Sequence, residues 1–324
     1  MRRGSMEYWP HRRAKKVMPR VRNWPDIAAP SFTGLVAFKA GMTHVGLIDD
    51  SEESSKGTEV IKPVTVLEFP RVFIYGVRFY SRKANQYTGV TKDLYVKELA
   101  SKLGINKTSN TTDKLEEVKK EMSHITNVSA LAYLDASPLG FGSKRWMRFE
   151  LDVGGKDNAE KLTFIEQWLG KEVKAKDFLG EGDYLDVKSI SKGKGWAGVI
   201  KRYGVARLMR KATQKIRHTG TMGAWHPPKV LYTIPQAGHM GYNYRSEMNK
   251  RVLKVGTAAE ANQINVKGGY LNYGLVKNDF ILLEGSIPGV PKRLVRIRKA
   301  IRNKTVAKKP QLTYISTASK QGAA

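Results

Sequence analysis

The chain has 324 residues, 41% of them hydrophobic, enough for the core of one large domain or two smaller ones. Its 57 Lys and Arg against 29 Asp and Glu give a formal net charge of +28, and this excess points to a polyanionic partner. The absence of cysteine excludes disulfides, thiolate catalysis and cysteine-based zinc sites, which suits a reducing cytosol. No apolar run is long enough to span a bilayer and the basic N-terminus lacks the apolar core of a secretory signal, so nucleic acid is favoured over membrane.

Residues 1–30 are rich in Arg, Lys and Pro, with Trp9 and Trp24 each followed by proline. Proline opposes both helix and sheet, so this stretch is predicted to be a basic, extended N-terminal extension that orders on a partner. From Ser31 short apolar runs punctuated by glycine predict several strands: residues 32–50, 60–69 and 72–80. They are expected to begin a β-barrel body that comprises residues 31–90, 179–190 and 251–324.

Residues 91–178 differ in kind, with acids and bases roughly balanced. Leu94, Tyr95, Leu99 and Leu103 recur at helical spacing before Gly104, and Asp113 with Glu116 resembles the start of a second helix. Asp157 with Glu160 opens a third, with Leu162, Ile165, Trp168 and Leu169 on one side and Gly170 at its end. Residues 127–135 and 145–153 read as strands between these helices. The fold class is therefore mainly β with an α+β insertion: a β-barrel body with long basic extensions.

Strand patterning returns at residues 184–190, 251–256, 274–285 and 294–298. In the last run Val295 and Ile297 alternate with Arg296 and Arg298, which predicts an apolar face inward and a basic face outward. Between Asp186 and Glu247 there is no acidic residue, while twelve Lys and Arg interleave with Gly, Trp and Tyr. Like charges at this density repel one another until a polyanion neutralises them, so residues 191–250 are read as an internal nucleic-acid-binding arm.

Three motifs in or near the arm have competing readings. Gly193 to Gly198 spells G-x-G-x-x-G after a strand, but a dinucleotide site needs a helix next and an acid about 20 positions on. Val199-Ile-Lys-Arg-Tyr-Gly is a poor helix start and no acid follows before Glu247, so glycines that admit phosphates beside Lys192 and Lys194 are the favoured reading. In Gly223-Ala-Trp-His-Pro-Pro228 the prolines stiffen a turn, where Trp225 either stacks on a base or packs beneath the loop. His218, His226 and His239 have no recognised ligand spacing, so no metal or cofactor is expected. Catalysis lacks clustered carboxylates or a His with an orienting partner, since nearly half of the acids lie in the balanced insertion.

Phe32-Thr-Gly-Leu-Val-Ala-Phe-Lys-Ala-Gly-Met-Thr43, Ser191-Lys-Gly-Lys-Gly-Trp-Ala-Gly-Val199, Gly223-Ala-Trp-His-Pro227, Gly238-His-Met-Gly-Tyr242 and Gly285-Ser-Ile-Pro-Gly289 together resemble the universal large-subunit ribosomal protein number three family. The basic tail with Trp-Pro and the Gly-Ala-Trp-His-Pro motif are similar to its archaeal and eukaryotic branch. The resemblance implies a β-barrel at the subunit surface and an arm threaded through 23S-type rRNA, reaching toward the peptidyl-transferase centre and acting early in subunit assembly. It implies a cytoplasmic protein among neighbouring large-subunit proteins, with RNA as the catalyst. By motif, Lys192, Lys194, Gly195 and Trp196 form the arm's base, and Trp225 with His226 its tip. Lys201, Arg202, Arg207, Arg210, Lys211, Lys215, Arg217 and Arg245 are the further rRNA-contacting candidates. The competing expectation is an RNA-modifying or processing enzyme with a basic substrate-binding arm.

Overall fold

In a computed structural model, residues 4–50, 54–82, 88–105, 115, 116, 118, 119, 122–142, 146–212, 215–303 and 308–321 are described. Their contacts group into two compact units. One joins Met18–Ser189 to Ser246–Ala324, and the other joins Met1–Val17 to Ile190–Arg245.

The larger unit is organised by β1 (Gly34–Ile48), the long apolar run that opens the body. Fifteen residues are enough to serve different neighbours along its length. Gly34 to Phe38 pair antiparallel with β13 (Leu294–Lys299), and Phe38 to Ile48 pair with β2 (Glu59–Glu68) across a register shift between Lys39 and Gly41. Four more strands complete the pairing: β8 (Tyr184–Ile190), β11 (Tyr244–Gly256), β12 (Phe280–Glu284) and the short β14 (Leu312–Ile315) beside β1. The order β13-β8-β11-β12-β2-β1 returns to β13, so six strands close into a ring with no free edge among them.

A second sheet holds β3 (Arg71–Arg82), β4 (Thr88–Tyr95), β5 (Ile125–Asp135) and β6 (Met147–Asp152) in the order β4-β3-β5-β6, with the two-residue β7 (Glu172–Val173) also on β3. Its helix α2 (Asn158–Trp168) buries Leu162 and Ile165, as the spacing predicts, and sets Phe164 and Trp168 edge-on to Phe32 at 5.1 and 5.4 Å. One continuous apolar cluster runs from Val36 and Phe280 of the ring to Val77, Ala132 and Leu151 of the second sheet. The protein is mainly β with more than one sheet.

Two expectations differ from what is found, and one falls outside the described residues. Helix α1 covers only Lys97–Lys102, because Leu94 and Tyr95 end β4 instead of starting a helix. The helix expected from Asp113 begins outside the described residues. The basic face of β13 does not point outward: Arg296 and Arg298 are both buried. Arg298 pairs with Asp186 at 2.9 Å and donates to the Asn23 carbonyl, while the Arg296 guanidinium lies 5.3 Å from the Trp24 ring and 5.7 Å from that of Phe149. The Trp24 indole sits so close to Gly34 that a Cβ there would come within 2.6 Å of it. Asn23 and Trp24 of the N-terminal stretch thus contact this chain's own sheet.

Buried polar residues link motifs distant in sequence. The Lys39 ammonium donates to the carbonyls of Ile287 and Gly289 at 2.7 and 3.3 Å, tying the Phe-Lys-Ala-Gly run to the Gly-Ser-Ile-Pro-Gly turn. The fully buried Glu68 carboxylate accepts from the Tyr273 hydroxyl and from both nitrogens of Asn278 and the Lys277 amide. Each keeps a buried charge supplied with hydrogen bonds, without which it would cost several kcal/mol (roughly 3–5).

Candidate nucleic-acid interface

The smaller unit starts where the chain leaves β8. Ser191 donates its amide to the Asn243 carbonyl at 2.9 Å, and Tyr242 donates to the Lys192 carbonyl at 3.2 Å. Between these anchors β9 (Gly193–Ala197) and β10 (Gly238–Gly241) form an antiparallel pair, with Ala197 opposite Gly238 and Trp196 opposite His239. The register shifts before Gly241, whose φ is +76°, and a Cβ on that residue would come within 2.0 Å of the Lys192 carbonyl oxygen. Only glycine fits there.

After β9 a one-turn helix, α3 (Val199–Tyr203), does form, contrary to the expectation from its sequence, and Gly204 ends it in the left-handed conformation. The glycines of the G-x-G-x-x-G run lie mostly in a strand paired with β10 and not in a loop around a helix N-terminus. From Gly204 to Ala237 there is no α-helix or strand among the described residues. Backbone and side-chain bonds tie this stretch together: Leu208 N–H to the Ile216 carbonyl at 3.0 Å, Thr219 hydroxyl to the Pro235 carbonyl at 2.8 Å, and Arg202 to the Gln236 carbonyl at 2.8 Å.

The first 17 residues belong to the same unit. Ala14 N–H donates to the Tyr242 carbonyl at 2.8 Å, Asn243 Nδ2 donates to the Arg12 carbonyl at 2.9 Å, and the Tyr244 hydroxyl both accepts from the Lys16 amide and donates to its carbonyl. Trp9 stacks with Tyr203 at 6.2 Å and meets His11 at 4.5 Å and Tyr232 at 5.7 Å. Burial, and then the nearby Arg202 and Arg245 guanidinium groups, hold the His11 imidazole below its usual pKa. This aromatic cluster was not singled out by sequence reasoning. The available signal was the acid-poor, Trp-containing composition of the N-terminus, which does not specify the residues it meets about 200 positions later.

Every candidate binding residue falls in this unit. Lys192, Lys194, Gly195 and Trp196 are exposed on or beside β9, and Lys201 is exposed on α3. Arg202 and Arg245 are half-buried, the former 5.1 Å from the Tyr203 ring and the latter 4.4 Å from that of Tyr8. Arg207, Arg210, Lys211, Lys215 and Arg217 are exposed along the irregular stretch, as are Trp225 and His226 in the fully exposed run from Thr221 to Tyr232. Trp225 is 88% exposed, so it does not pack beneath its loop. Trp196 meets His239 edge-on at 5.4 Å, whereas Trp225 has no ring neighbour among the described residues.

Charge is unevenly divided. The smaller unit contains seventeen of the Lys and Arg residues and one acid, Glu7. Among the described residues every ion pair lies in the larger unit, from Lys62 with Glu284 to Lys309 with Glu181. Among the described residues no three His, Asp or Glu converge as a metal ligand set.

A mainly β body joined to an irregular, cation-dense unit with exposed indoles defines a class of protein suited to a polyanion. Comparison with known proteins makes this specific. The family described as Ribosomal protein L3 matches residues 1–322, and the chain belongs to it. It is similar to proteins named large ribosomal subunit protein uL3: 41% identical in Methanobrevibacter smithii, over 99% of this chain and 98% of that protein. The Methanothermobacter thermautotrophicus protein is 38% identical and that of Thermoplasma volcanium 40%, each over 99% of this chain and 98% of its own length. The family is one of structural ribosomal proteins, which sets aside the expectation of an RNA-modifying enzyme.

Proposed function

We propose that this chain is a constituent of the large subunit of the cytoplasmic ribosome that binds 23S-type rRNA through the unit built from residues 1–17 and 190–245. Neighbouring large-subunit proteins meet the body, and the protein supports early subunit assembly. Trp225 and His226 form the tip of an arm that approaches the peptidyl-transferase centre. One observation supports the RNA-binding reading: among the described residues no cation of this unit pairs with a carboxylate, while all ion pairs lie in the larger unit. Phosphates would supply the counter-charge that carboxylates of the chain do not.

Binding of an rRNA fragment across a salt series tests it. If about ten phosphates are neutralised, log K against log salt falls with a slope of roughly −7 to −9. Replacing Arg207, Arg210 and Lys211 by Gln should make the slope shallower by about 2 to 3, since each lost contact removes roughly 0.7 to 0.9. A flat salt dependence for the native protein would overturn the reading.

A further inference from the structure

The cations account for attraction to phosphates in general and leave one feature of the unit unexplained. Beside the β9–β10 pair lies an open cavity of about 300 Å³, bordered by Arg13, Gly193, Gly195, His239, Met240, Gly241 and Tyr242. Three of these positions contribute only main chain, and at Gly193 and Gly195 the space beside it is open. A Cβ on Gly195 would meet nothing within 4 Å, and one on Gly193 would meet only carbon atoms of Tyr242 at 3.8 Å. A bare peptide surface is therefore open on one side, with the Tyr242 side chain, the His239 imidazole and the Met240 thioether around it.

The lining selects among ligands. A free phosphate requires several converging donors or cations, and Arg13 is the only charged residue here. At about 300 Å³ the space lies at the small end of the roughly 300–1,000 Å³ range of small-molecule sites, which suits one ring system better than a dinucleotide. A flat peptide surface, an aromatic ring and a polarisable sulfur favour the face of a π system, while Arg13 can reach polar atoms on its edge. Lys192 and Lys194 alternate with the two glycines along β9 and are exposed, so a phosphate backbone passing the mouth would meet cations on both sides of Gly193.

We propose that this cavity is a nucleobase pocket, which receives one unstacked base of single-stranded RNA while Lys192 and Lys194 hold the adjoining phosphates. The proposal rests on the RNA-binding reading above and adds recognition of a base to recognition of charge.

The test uses the full chain and two probes of equal length and charge: an oligoadenylate decamer and an abasic ribose-phosphate decamer. The native protein should bind the base-bearing strand more tightly. Gly193→Leu, which fills the cavity without changing charge, should weaken oligoadenylate binding about five- to tenfold, within the range of a single lost base stack. It should leave abasic binding and both salt slopes unchanged. Gly193→Ala, whose Cβ makes only ordinary contacts, gives a smaller loss in the same direction and guards against misfolding of the larger variant. Gly198→Ala, placed in open space away from the cavity, should match the native protein. If the Gly193 variants keep the native preference for bases, or if the native protein binds both decamers equally with a steep salt slope, the pocket is overturned while RNA binding stands. Failure to bind either decamer would overturn both.

Discussion

Two tryptophans, Trp24 directly before a proline and Trp225 two residues before one, have opposite fates. Trp24 is committed within the chain: its indole lies over Gly34 and faces the buried Arg296 guanidinium, a cation–π contact in a desolvated setting. Burial lowers the Arg296 pKa to about 10, and the nearby Glu150 charge opposes that shift. Trp225 has no such commitment at 88% exposure, although a Trp side chain can bury about 150–250 Å² of surface. Trp225→Ala is therefore expected to change unfolding free energy by no more than about 0.5 kcal/mol, as for an exposed site. In ribosomes carrying it, chemical probing of the catalytic-centre rRNA should change. Native-like probing there would remove the tip from the proposed role, and a large loss of stability would show that the indole packs within the chain after all.

At the scale of the element, β13 shows where an alternating pattern misleads. Val295 and Ile297 face the apolar core as their period predicts, yet the opposite face is covered as well. Arg298 there makes two bonds to one oxygen of Asp186 on β8, at 2.9 and 3.1 Å, with both side chains almost wholly buried. Removing one member leaves a charge stranded in the interior, so Asp186→Ala should destabilise the body by about 3–5 kcal/mol in urea unfolding. Adding Arg298→Met should recover much of that loss, because the pair's cost is mostly the desolvation of each charge. A single-variant loss below about 1 kcal/mol would mean that the interior is wetter than its burial indicates.

Strands built from apolar runs, such as β1, β5 and β12, were legible because burial on both faces leaves stretches rich in Val, Ile, Leu, Ala and Phe. The cationic surface was legible too, since the absence of acids survives folding unchanged. What the sequence did not reveal was partnership at long range. Nothing local in Arg296 or Arg298 announces that Trp24 and Asp186 will cover them, and helical spacing at Leu94 and Tyr95 gave way to pairing with β3. The same holds for Ala14 with Tyr242, and for a cavity whose lining includes three glycines with no side chain to attract notice.

For the whole molecule, charge is divided by unit, and this predicts different responses to salt. In the larger unit carboxylates answer many of the cations in space, so added salt screens attraction and repulsion alike. In the smaller unit seventeen cations oppose a single acid, and screening removes mainly repulsion. Raising ionic strength from 0.01 to 0.15 M shortens the Debye length from about 30 to about 8 Å, which weakens repulsion among the exposed cations. Hydrogen exchange should therefore slow at the amides that hold the smaller unit together, those of Ala14, Ser191 and Tyr242 among them. Amides in the β1–β2 pairing should change little over the same range, because their protection follows the opening of the body. An rRNA fragment at low salt should slow the first group further, as phosphates replace mobile ions by fixed ones. An equal response of both groups to salt would show that the uneven distribution of charge does not govern how the smaller unit holds together.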